Sequence, residues 1–324
     1  MMGRILQSTE GRLAIITLVV FITMSILAPE RFLSPANLTS MAFQFPEFAI
    51  LALAVAVAML TGGIDLSVVG AANLSAVVAA LFMSQFAGTV ANGGTGTGIL
   101  LAAIALSLAV GLVTGLFNGI LVATFGLPPI LATLGTGLIY TGLAIAMTGG
   151  SAVMGLPPAV AWVGNGTLLD IPVPLVIFSA LAIALGWVLK RTAFGLKTRM
   201  FGANPLAARY AAMDTGRVLL KVYALCGVLS AIAGLIVMSR ANSAKADYGS
   251  SYLLLAVLIA VLGGVNPYGG YGRIVGVVLA VLSMQFLSSG LNLLQVTNFA
   301  REMIWGVLLI GVMLINLLTF RRKS

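Results

Sequence analysis

The chain has 324 residues, of which 60 % are hydrophobic and only 8 % are charged. Soluble domains carry about 25 % charged residues, so this composition excludes a soluble globular protein and predicts an all-α membrane protein with little mass outside the bilayer. The net charge of +9 comes from basic residues at the predicted membrane edges, not interleaved with stacking aromatic residues. This distribution excludes nucleic-acid binding and favours contact with anionic lipid headgroups.

Long apolar windows separated by polar or Gly/Pro-rich breaks predict about ten transmembrane helices. The first window is interpreted as an uncleaved span, because it has no small-x-small cleavage site and further spans follow at once. The whole chain, residues 1–324, is expected to form a single transmembrane domain. The predicted spans lie near residues 13–28, 46–60, 67–86, 99–123, 128–147, 173–189, 218–239, 251–265, 273–293 and 300–318.

Basic residues predict the orientation of the chain. The segment from Lys190 to Lys221 holds seven of the 17 Lys and Arg residues and one acid, Asp214. Cytoplasmic loops are enriched in Lys and Arg, so this loop is predicted to be cytoplasmic. An even number of spans then predicts that both termini are cytoplasmic as well. Arg240 and Lys245 fall on the outer side, which is the weak point of this topology. The outer loops are then predicted at 29–45, 87–98, 148–172, 240–250 and 294–299.

The basic loop also contains a short predicted helix. Asn204 is a favourable N-cap, and Pro205 follows at the first helical position, where a missing N–H costs nothing. About two turns follow, in which Leu206, Tyr210 and Met213 share one face at i, i+4 and i+7. An exposed apolar stripe in a basic loop is typical of a surface that docks a partner. A solvated loop with an incidental helix is the alternative.

Two Gly-rich segments interrupt the apolar pattern, LTGGIDLSVVG at Leu60–Gly70 and LGGVNPYGGYG at Leu262–Gly272. Their apolar flanks have similar lengths, which hints at a distant internal repeat. Paired interruptions indicate irregular backbone that lines a transport pathway, because non-helical backbone at membrane depth must be satisfied by protein or water. For Leu262–Gly272, a tight loop at the membrane surface is equally compatible with the sequence.

Asp65 is the only acid well inside a predicted apolar region. A carboxylate inside a membrane is costly and marks a functional candidate. The favoured interpretation is nevertheless structural, because Gly62 and Gly63 precede Asp65 and the carboxylate could cap a helix that starts at Leu66. In the fourth span, Asn118 is interpreted as an interhelical hydrogen-bond partner in preference to a ligand contact. It lies beside a predicted close-packing face formed by Gly111, Gly115 and Gly119.

The residue types that are missing narrow the mechanism. The sequence has no histidine, no G-x-x-x-x-G-K-[ST] nucleotide-binding loop, no metal-ligand spacing and no nucleophile–base pair. Its single cysteine, Cys226, lies in an apolar segment and is expected to be a small core residue. The chain is therefore predicted not to be an enzyme and to hold no metal or cofactor. Since the spans lack a proton relay, uphill transport would need energy from another subunit.

Four sequence motifs occur in order along the chain: GGIDLSVVG at 62–70, NGILVATFGLPPILATLGT at 118–136, FGANPLAARYAA at 201–212 and AVLGGVNPYGGYGRIVG at 260–276. Together they resemble the membrane permease subunits of ribose-type monosaccharide ABC importers, over essentially the whole chain. The first motif has one Val more than the family signature. Ala211, Ala212 and Met213 stand where Ser-Gly-Ile is usual, which is similar to the autoinducer-2 and rhamnose branches.

The resemblance implies a permease that moves a monosaccharide or a related polyol-like solute across the bacterial inner membrane into the cytoplasm. It implies a separate cytoplasmic subunit that binds ATP and Mg, a second permease in a homo- or heterodimer, and a periplasmic sugar-binding protein. The resemblance also implies that residues 202–216 dock the ATPase. The candidate coupling residues are Gly202, Asn204, Leu206, Arg209, Tyr210 and Met213. The candidate residues of the translocation pathway are Asp65, Ser67, Asn118, Thr133 and Asn266.

Two other transporter classes are the alternatives. An ion-coupled secondary transporter would need an ion site, and the scarcity of ionisable residues in the spans disfavours it. An ABC permease for branched-chain amino acids is distantly similar, but the GGIDLSVVG motif disfavours that interpretation. The sequence does not specify the solute, because the binding protein largely sets specificity in such systems.

Overall fold

Helices make up nearly all of the regular structure. The computed structural model describes residues 9–86 and 96–321 and is 78 % helical. The first helices are α1 (Thr9–Leu27), α2 (Pro29–Phe32), α3 (Pro35–Met59), α4 (Val68–Gln85), α5 (Gly96–Ala123) and α6 (Pro129–Thr148). The remaining helices are α7 (Pro158–Asn165), α8 (Val173–Arg191), α9 (Ala193–Ala203), α10 (Pro205–Tyr210), α11 (Thr215–Ala241), α12 (Tyr252–Leu262), α13 (Ile274–Leu293) and α14 (Asn298–Arg321). A short hairpin pairs β1 (Thr167–Leu168) with β2 (Ile171–Pro172). Most of the predicted outer loop 87–98 lies outside the described residues.

Eight described helices are long and apolar enough to cross a membrane: α1, α3, α4, α5, α6, α8, α11 and α13. They confirm an all-α polytopic membrane protein, with eight such helices where about ten were predicted. The predicted span 251–265 is the 11-residue helix α12, which at 1.5 Å per residue reaches only about half-way across a hydrocarbon core of ~30 Å. It ends before Gly263 and Gly264, the second of which has a left-handed φ of 78°. The predicted span 300–318 coincides with α14, which is not among the eight.

Helix α3 forms the centre of the protein. Every residue from Phe45 to Leu60 is buried, and helices α8, α11, α12 and α13 all pack against α3. Apart from Glu47, this stretch is apolar on every side, which suits such complete burial because it has no polar face to present to water. Cys226 on α11 is fully buried against α3, where its Sγ donates to the carbonyl oxygen of Ala54 at 3.2 Å. This confirms Cys226 as a small core residue.

The predicted close-packing face of α5 contacts α11. A Cβ added to Gly111 would collide with the carbonyl of Gly227, and one added to Gly115 would collide with the carbonyl of Tyr223. Small residues let two membrane helices approach closely, which increases the van der Waals contact that holds them together in lipid. The glycines therefore confirm the predicted interface, and they hold Asn118 in the interior at 1 % exposure.

Contacts between loops define the two ends of the helix bundle. Val153 and Ala244 exchange backbone hydrogen bonds of 2.8 and 3.0 Å, which join the predicted outer loops 148–172 and 240–250. Helix α11 runs from the basic loop at its first residue to the 240–250 loop at its last. The basic loop and the joined outer loops therefore lie at opposite ends of the bundle.

Candidate functional site

Three Gly-containing segments meet at the end of the bundle that carries the basic loop, and we call their contact the glycine junction: Leu60–Gly63, Gly202–Ala203 and Tyr268–Gly270. The backbone N of Gly270 donates to the carbonyl oxygen of Leu60 at 3.0 Å. A Cβ on Gly202 would collide with that same oxygen and lie 2.6 Å from Gly270 N. A Cβ on Gly269 would lie 2.7 Å from Gly62 N. Because backbone contacts backbone, a side chain at these positions must displace a neighbouring segment.

The glycine junction brings together the two interrupted segments that the sequence singled out. Leu262–Gly272 forms a tight loop, which is one of the two structures that the sequence allowed for this segment. Asn266 closes this loop, because its Nδ2 donates to Gly269 O at 3.0 Å and its Oδ1 accepts from Tyr268 N at 3.1 Å. The Asn266 side chain is thus engaged within the loop, and its contact with a solute stays a prediction.

The short helix predicted in the basic loop begins where the sequence indicated. Asn204 Oδ1 accepts a hydrogen bond from Ala207 N at 2.9 Å, and Pro205 is the first residue of α10. Helix α9 ends immediately before this cap, so Gly202 connects α10 to the glycine junction through two residues of chain. Any force on α10 is therefore applied close to Gly202.

The end of the predicted helix in the basic loop differs from the prediction. Helix α10 ends at Tyr210 rather than continuing to Met213, and Ala212 has a left-handed φ of 53°. A left-handed residue of this kind ends a helix. Met213 lies beyond α10 and packs, partly buried, against the small apolar cluster beneath it. Leu206 and Tyr210 are 61 % and 84 % exposed, and Arg209 is also exposed. The prediction that Leu206, Tyr210 and Met213 share one face of a single helix is therefore wrong. A role of these residues in coupling stays a prediction.

A chain of buried polar side chains links α4, α5 and α6. Asp65 Oδ1 accepts hydrogen bonds from Ser67 N at 2.9 Å and Ser67 Oγ at 2.7 Å. Asn118 Nδ2 donates to Ser67 Oγ at 2.7 Å, and Thr136 Oγ1 donates to Asn118 Oδ1 at 2.6 Å. The Tyr140 hydroxyl lies 3.4 Å from the same Asn118 oxygen. Asn118 is thus an interhelical hydrogen-bond partner, as predicted, and three of the predicted pathway residues lie together.

The prediction that Asp65 caps the helix is wrong about where that helix begins. Helix α4 begins two residues later than predicted, so Asp65 does not cap a helix that starts at Leu66. Its carboxylate closes a turn onto Ser67, the residue before α4. Thr133 holds the same turn from α6, because its Oγ1 donates to Ile64 O at 3.1 Å and accepts from Leu66 N at 3.0 Å. Asp65 and Thr133 therefore both support the irregular backbone, and their contact with a solute stays a prediction.

Sequence reasoning missed Thr136, Tyr140 and Tyr223. Thr136 and Tyr140 follow Thr133 at i+3 and i+7 on α6, and this polar stripe in an apolar helix was a signal that could have identified them. Tyr223 gave no comparable signal, because it is a single residue in an apolar stretch. Its buried hydroxyl has no hydrogen-bond partner among the described residues, and a Cβ on Gly63 would lie 2.7 Å from it.

Sequence reasoning also missed a buried ion pair at the other end of the bundle. Glu47 on α3 is 5 % exposed, and its Oε1 lies 2.6 Å from Arg240 Nη1. Its Oε2 accepts a hydrogen bond from the Tyr252 hydroxyl at 3.0 Å. Asp65 is therefore not the only buried acid. The pairing also explains why a basic residue, Arg240, is tolerated at the predicted outer end, since Glu47 neutralises its charge. Lys245, the other basic residue there, is paired with an exposed acid of its own loop.

The described side chains do not form a metal centre. Within residues 9–86 and 96–321, no group of three or more His, Cys, Asp or Glu side chains could hold a metal ion. The polar groups instead support backbone breaks and helix interfaces. Such an arrangement can offer hydrogen bonds to a solute and can change shape when the supporting helices move.

Comparisons with known proteins agree with this architecture. The sequence profile of the family described as "Branched-chain amino acid transport system / permease component" matches residues 37–318. The autoinducer 2 import system permease protein LsrD of Enterobacter sp. (strain 638) is 35 % identical over 280 residues, which are 85 % of this chain and 82 % of LsrD. The ribose import permease protein RbsC of Bacillus subtilis (strain 168) is 36 % identical over 309 residues, which are 94 % of this chain and 91 % of RbsC. No solved structure matches the chain significantly. The chain therefore belongs to this family of permease components, among the ribose-type permeases of ABC importers.

Proposed function

We propose that the chain is the membrane subunit of an importer that moves a monosaccharide or a related polyol-like solute into the cytoplasm across the bacterial inner membrane. The observation that carries the proposal is the glycine junction, where a basic surface segment contacts both interrupted membrane segments. Closely packed atoms transmit a displacement because they leave no free volume to absorb it. The relatives named as autoinducer 2 and ribose import permeases support the solute class.

A separate cytoplasmic ATPase, which binds ATP and Mg, supplies the energy in this proposal. It docks on the coupling loop 190–221, where Leu206 and Tyr210 present apolar surface that the chain itself does not cover. The permease, a single domain over residues 1–324, holds no cofactor and catalyses no reaction. A second permease subunit completes a homo- or heterodimer, and a periplasmic sugar-binding protein delivers the solute to the end opposite the glycine junction.

The proposal places both termini and the coupling loop in the cytoplasm. Single cysteines at Lys197 and Met154, both exposed and at opposite ends of the bundle, test this orientation in a Cys226→Ala background. An impermeant thiol reagent added to intact cells is expected to label Met154→Cys and to leave Lys197→Cys unlabelled until the membrane is opened. The reverse pattern would overturn the orientation.

Transport by the assembled complex tests the proposed function itself. The permease, its ATPase and its binding protein are reconstituted in proteoliposomes with labelled ribose, and uptake is expected to require ATP on the ATPase side. Labelled leucine tests the branched-chain amino acids that the family description carries. ATP-dependent uptake of leucine but of no monosaccharide would overturn the solute class. Uptake by the isolated permease, driven by a proton or sodium gradient without ATP, would overturn the energy source.

A further inference from the structure

A polar cavity of about 360 Å³ lies at the end of the bundle opposite the glycine junction. The beginnings of α12 and α14, the last residue but one of α11, and the adjoining halves of α3 and α13 form its walls. This volume falls in the range of small-molecule sites and would hold roughly a dozen water molecules at ~30 Å³ each. The cavity is therefore large enough for a solute of monosaccharide size.

Two residues of the cavity wall carry donors that have no hydrogen-bond partner among the described residues. Trp305 is 7 % exposed, and its Nε1 makes no hydrogen bond to any described residue. Arg301 Nε, on the same helix, is likewise buried and unpaired among the described residues. Both donor atoms are enclosed by protein, so a solute in the cavity would meet the ring of Trp305 rather than its N–H. Both residues line the cavity.

The charges of the cavity wall are balanced. Arg240 is held by Glu47 at 2.6 Å, and Arg301, which donates to the side chain of Asn298, has Glu302 as its neighbour on the wall. A site for an anion would carry an excess of basic groups, and a site for a cation would carry an excess of acids. The balance therefore favours a neutral solute.

The uncharged groups of the wall combine hydrogen-bond donors and acceptors with aromatic rings. Gln285, 3 % exposed, contributes an amide that can both donate and accept, and Ser288 adds a hydroxyl. Tyr252 and Trp305 add amphipathic rings. A hydroxyl group also donates and accepts, so a solute with several hydroxyls and an apolar ring face matches this wall. A branched aliphatic side chain would leave most of these polar groups unpaired.

We propose that this cavity is a binding site for a neutral polyhydroxylated solute, which occupies it before reaching the interrupted segments. The inference rests on the proposed function as a sugar importer and adds a location to it. Trp305 and Gln285 are the binding residues, and Glu47 positions Arg240 at the wall.

Tryptophan fluorescence tests the site directly. The chain has three Trp residues, so the full-length Trp162→Phe/Trp187→Phe protein in nanodiscs reports on Trp305 alone. Ribose and a panel of neutral pentoses and hexoses are expected to change its emission saturably, and leucine is expected to have no effect. The matched control is Trp162→Phe/Trp305→Phe, in which the remaining Trp187 is 63 % exposed on α8, away from the cavity, and emission should stay constant. No response to any monosaccharide would count against the site.

Transport kinetics of the whole complex provide the second test. Trp305→Leu removes the aromatic ring from the wall, and Gln285→Leu keeps the approximate volume but removes the amide. Each is expected to raise the KM for the imported monosaccharide roughly threefold to tenfold at normal membrane abundance, the range for one lost ring contact or one lost hydrogen bond. Trp187→Phe should leave KM unchanged. Normal ATP-driven import with unchanged KM in both variants and no fluorescence response would overturn the site alone. A saturable fluorescence response in a complex that imports no monosaccharide would retain the site and overturn the proposed function.

Discussion

Removal of the exposed apolar side chains of α10 is expected to separate the permease from its ATPase without unfolding it. Full burial of one large apolar side chain contributes about 1.5–3 kcal/mol. Leu206 and Tyr210 are 61 % and 84 % exposed, so burial of that remaining surface in a partner contributes roughly 2–4 kcal/mol for the pair. Leu206→Ala with Tyr210→Ala should then weaken ATPase binding by about 30-fold to 1000-fold. The fold should be little affected, because these side chains are scarcely buried within the permease.

Co-purification of the ATPase with tagged permease measures this loss, beside the amount of permease in the membrane fraction and uptake by the complex. The matched control is Leu168→Ala with Ile171→Ala, which removes two side chains that are 51 % and 47 % exposed on the hairpin. The α10 variant should insert normally but lose both the ATPase and uptake, whereas the control should keep both. Normal ATPase retention and uptake in the α10 variant would refute docking on α10 and move the test to residues 194–200.

Substitutions at Gly202, Asp65 and Glu47, each with a matched control, test the contacts that support the site. Gly202→Ala inserts a methyl group against both interrupted segments, so uptake per ATP hydrolysed should fall severalfold in proteoliposomes. Gly135→Ala, whose Cβ would meet nothing within 4 Å, should behave as wild type. Equal ratios of uptake to ATP hydrolysis in the two variants would contradict a mechanical role for the glycine junction. Asp65→Asn keeps an acceptor for the two hydrogen bonds from Ser67 and should retain most uptake. Asp65→Leu leaves buried donors unpaired, which costs about 1–3 kcal/mol of stability, and should lower the amount of permease in the membrane. Abolished uptake in Asp65→Asn at normal membrane abundance would mean that the carboxylate contacts the solute instead. Glu47→Leu leaves the partly buried Arg240 without its partner and should lower the free energy of unfolding by about 3 kcal/mol, which a thermal melt of the purified protein would detect. Adding Arg240→Met should restore most of this stability, and no rescue would mean that the pair does not stabilise this end of the bundle.

The glycine junction also restricts how coupling can work. Gly202 is separated from the start of α10 by two residues, and it contacts backbone of Leu60 and Gly270 rather than side chains. Side chains can change rotamer to absorb a shift, but backbone segments in contact must move together. A displacement of α10 is therefore expected to reach the segment that carries Asp65 and the loop before α13 at the same time.

The sequence by itself determined those features that depend on neighbours along the chain. The scarcity of charge determined the membrane class, because each span must be apolar over most of its length. The Asn204 cap was predictable because a cap bonds to N–H groups two or three residues away. The close-packing face at Gly111, Gly115 and Gly119 was predictable because residues four apart share one side of a helix.

Which distant groups meet depends on how the helices pack. Glu47 and Arg240 are 193 positions apart, and no local pattern could assign a buried acid its partner, so Glu47 went unnoticed. Local rules likewise extended α10 to Met213, whereas the packing of Met213 under the helix and the left-handed Ala212 end it at Tyr210. The glycine junction joins three segments far apart in the chain. Each segment alone is equally compatible with a flexible loop, and the need for glycine there arises from the other two backbones that occupy the space a side chain would fill.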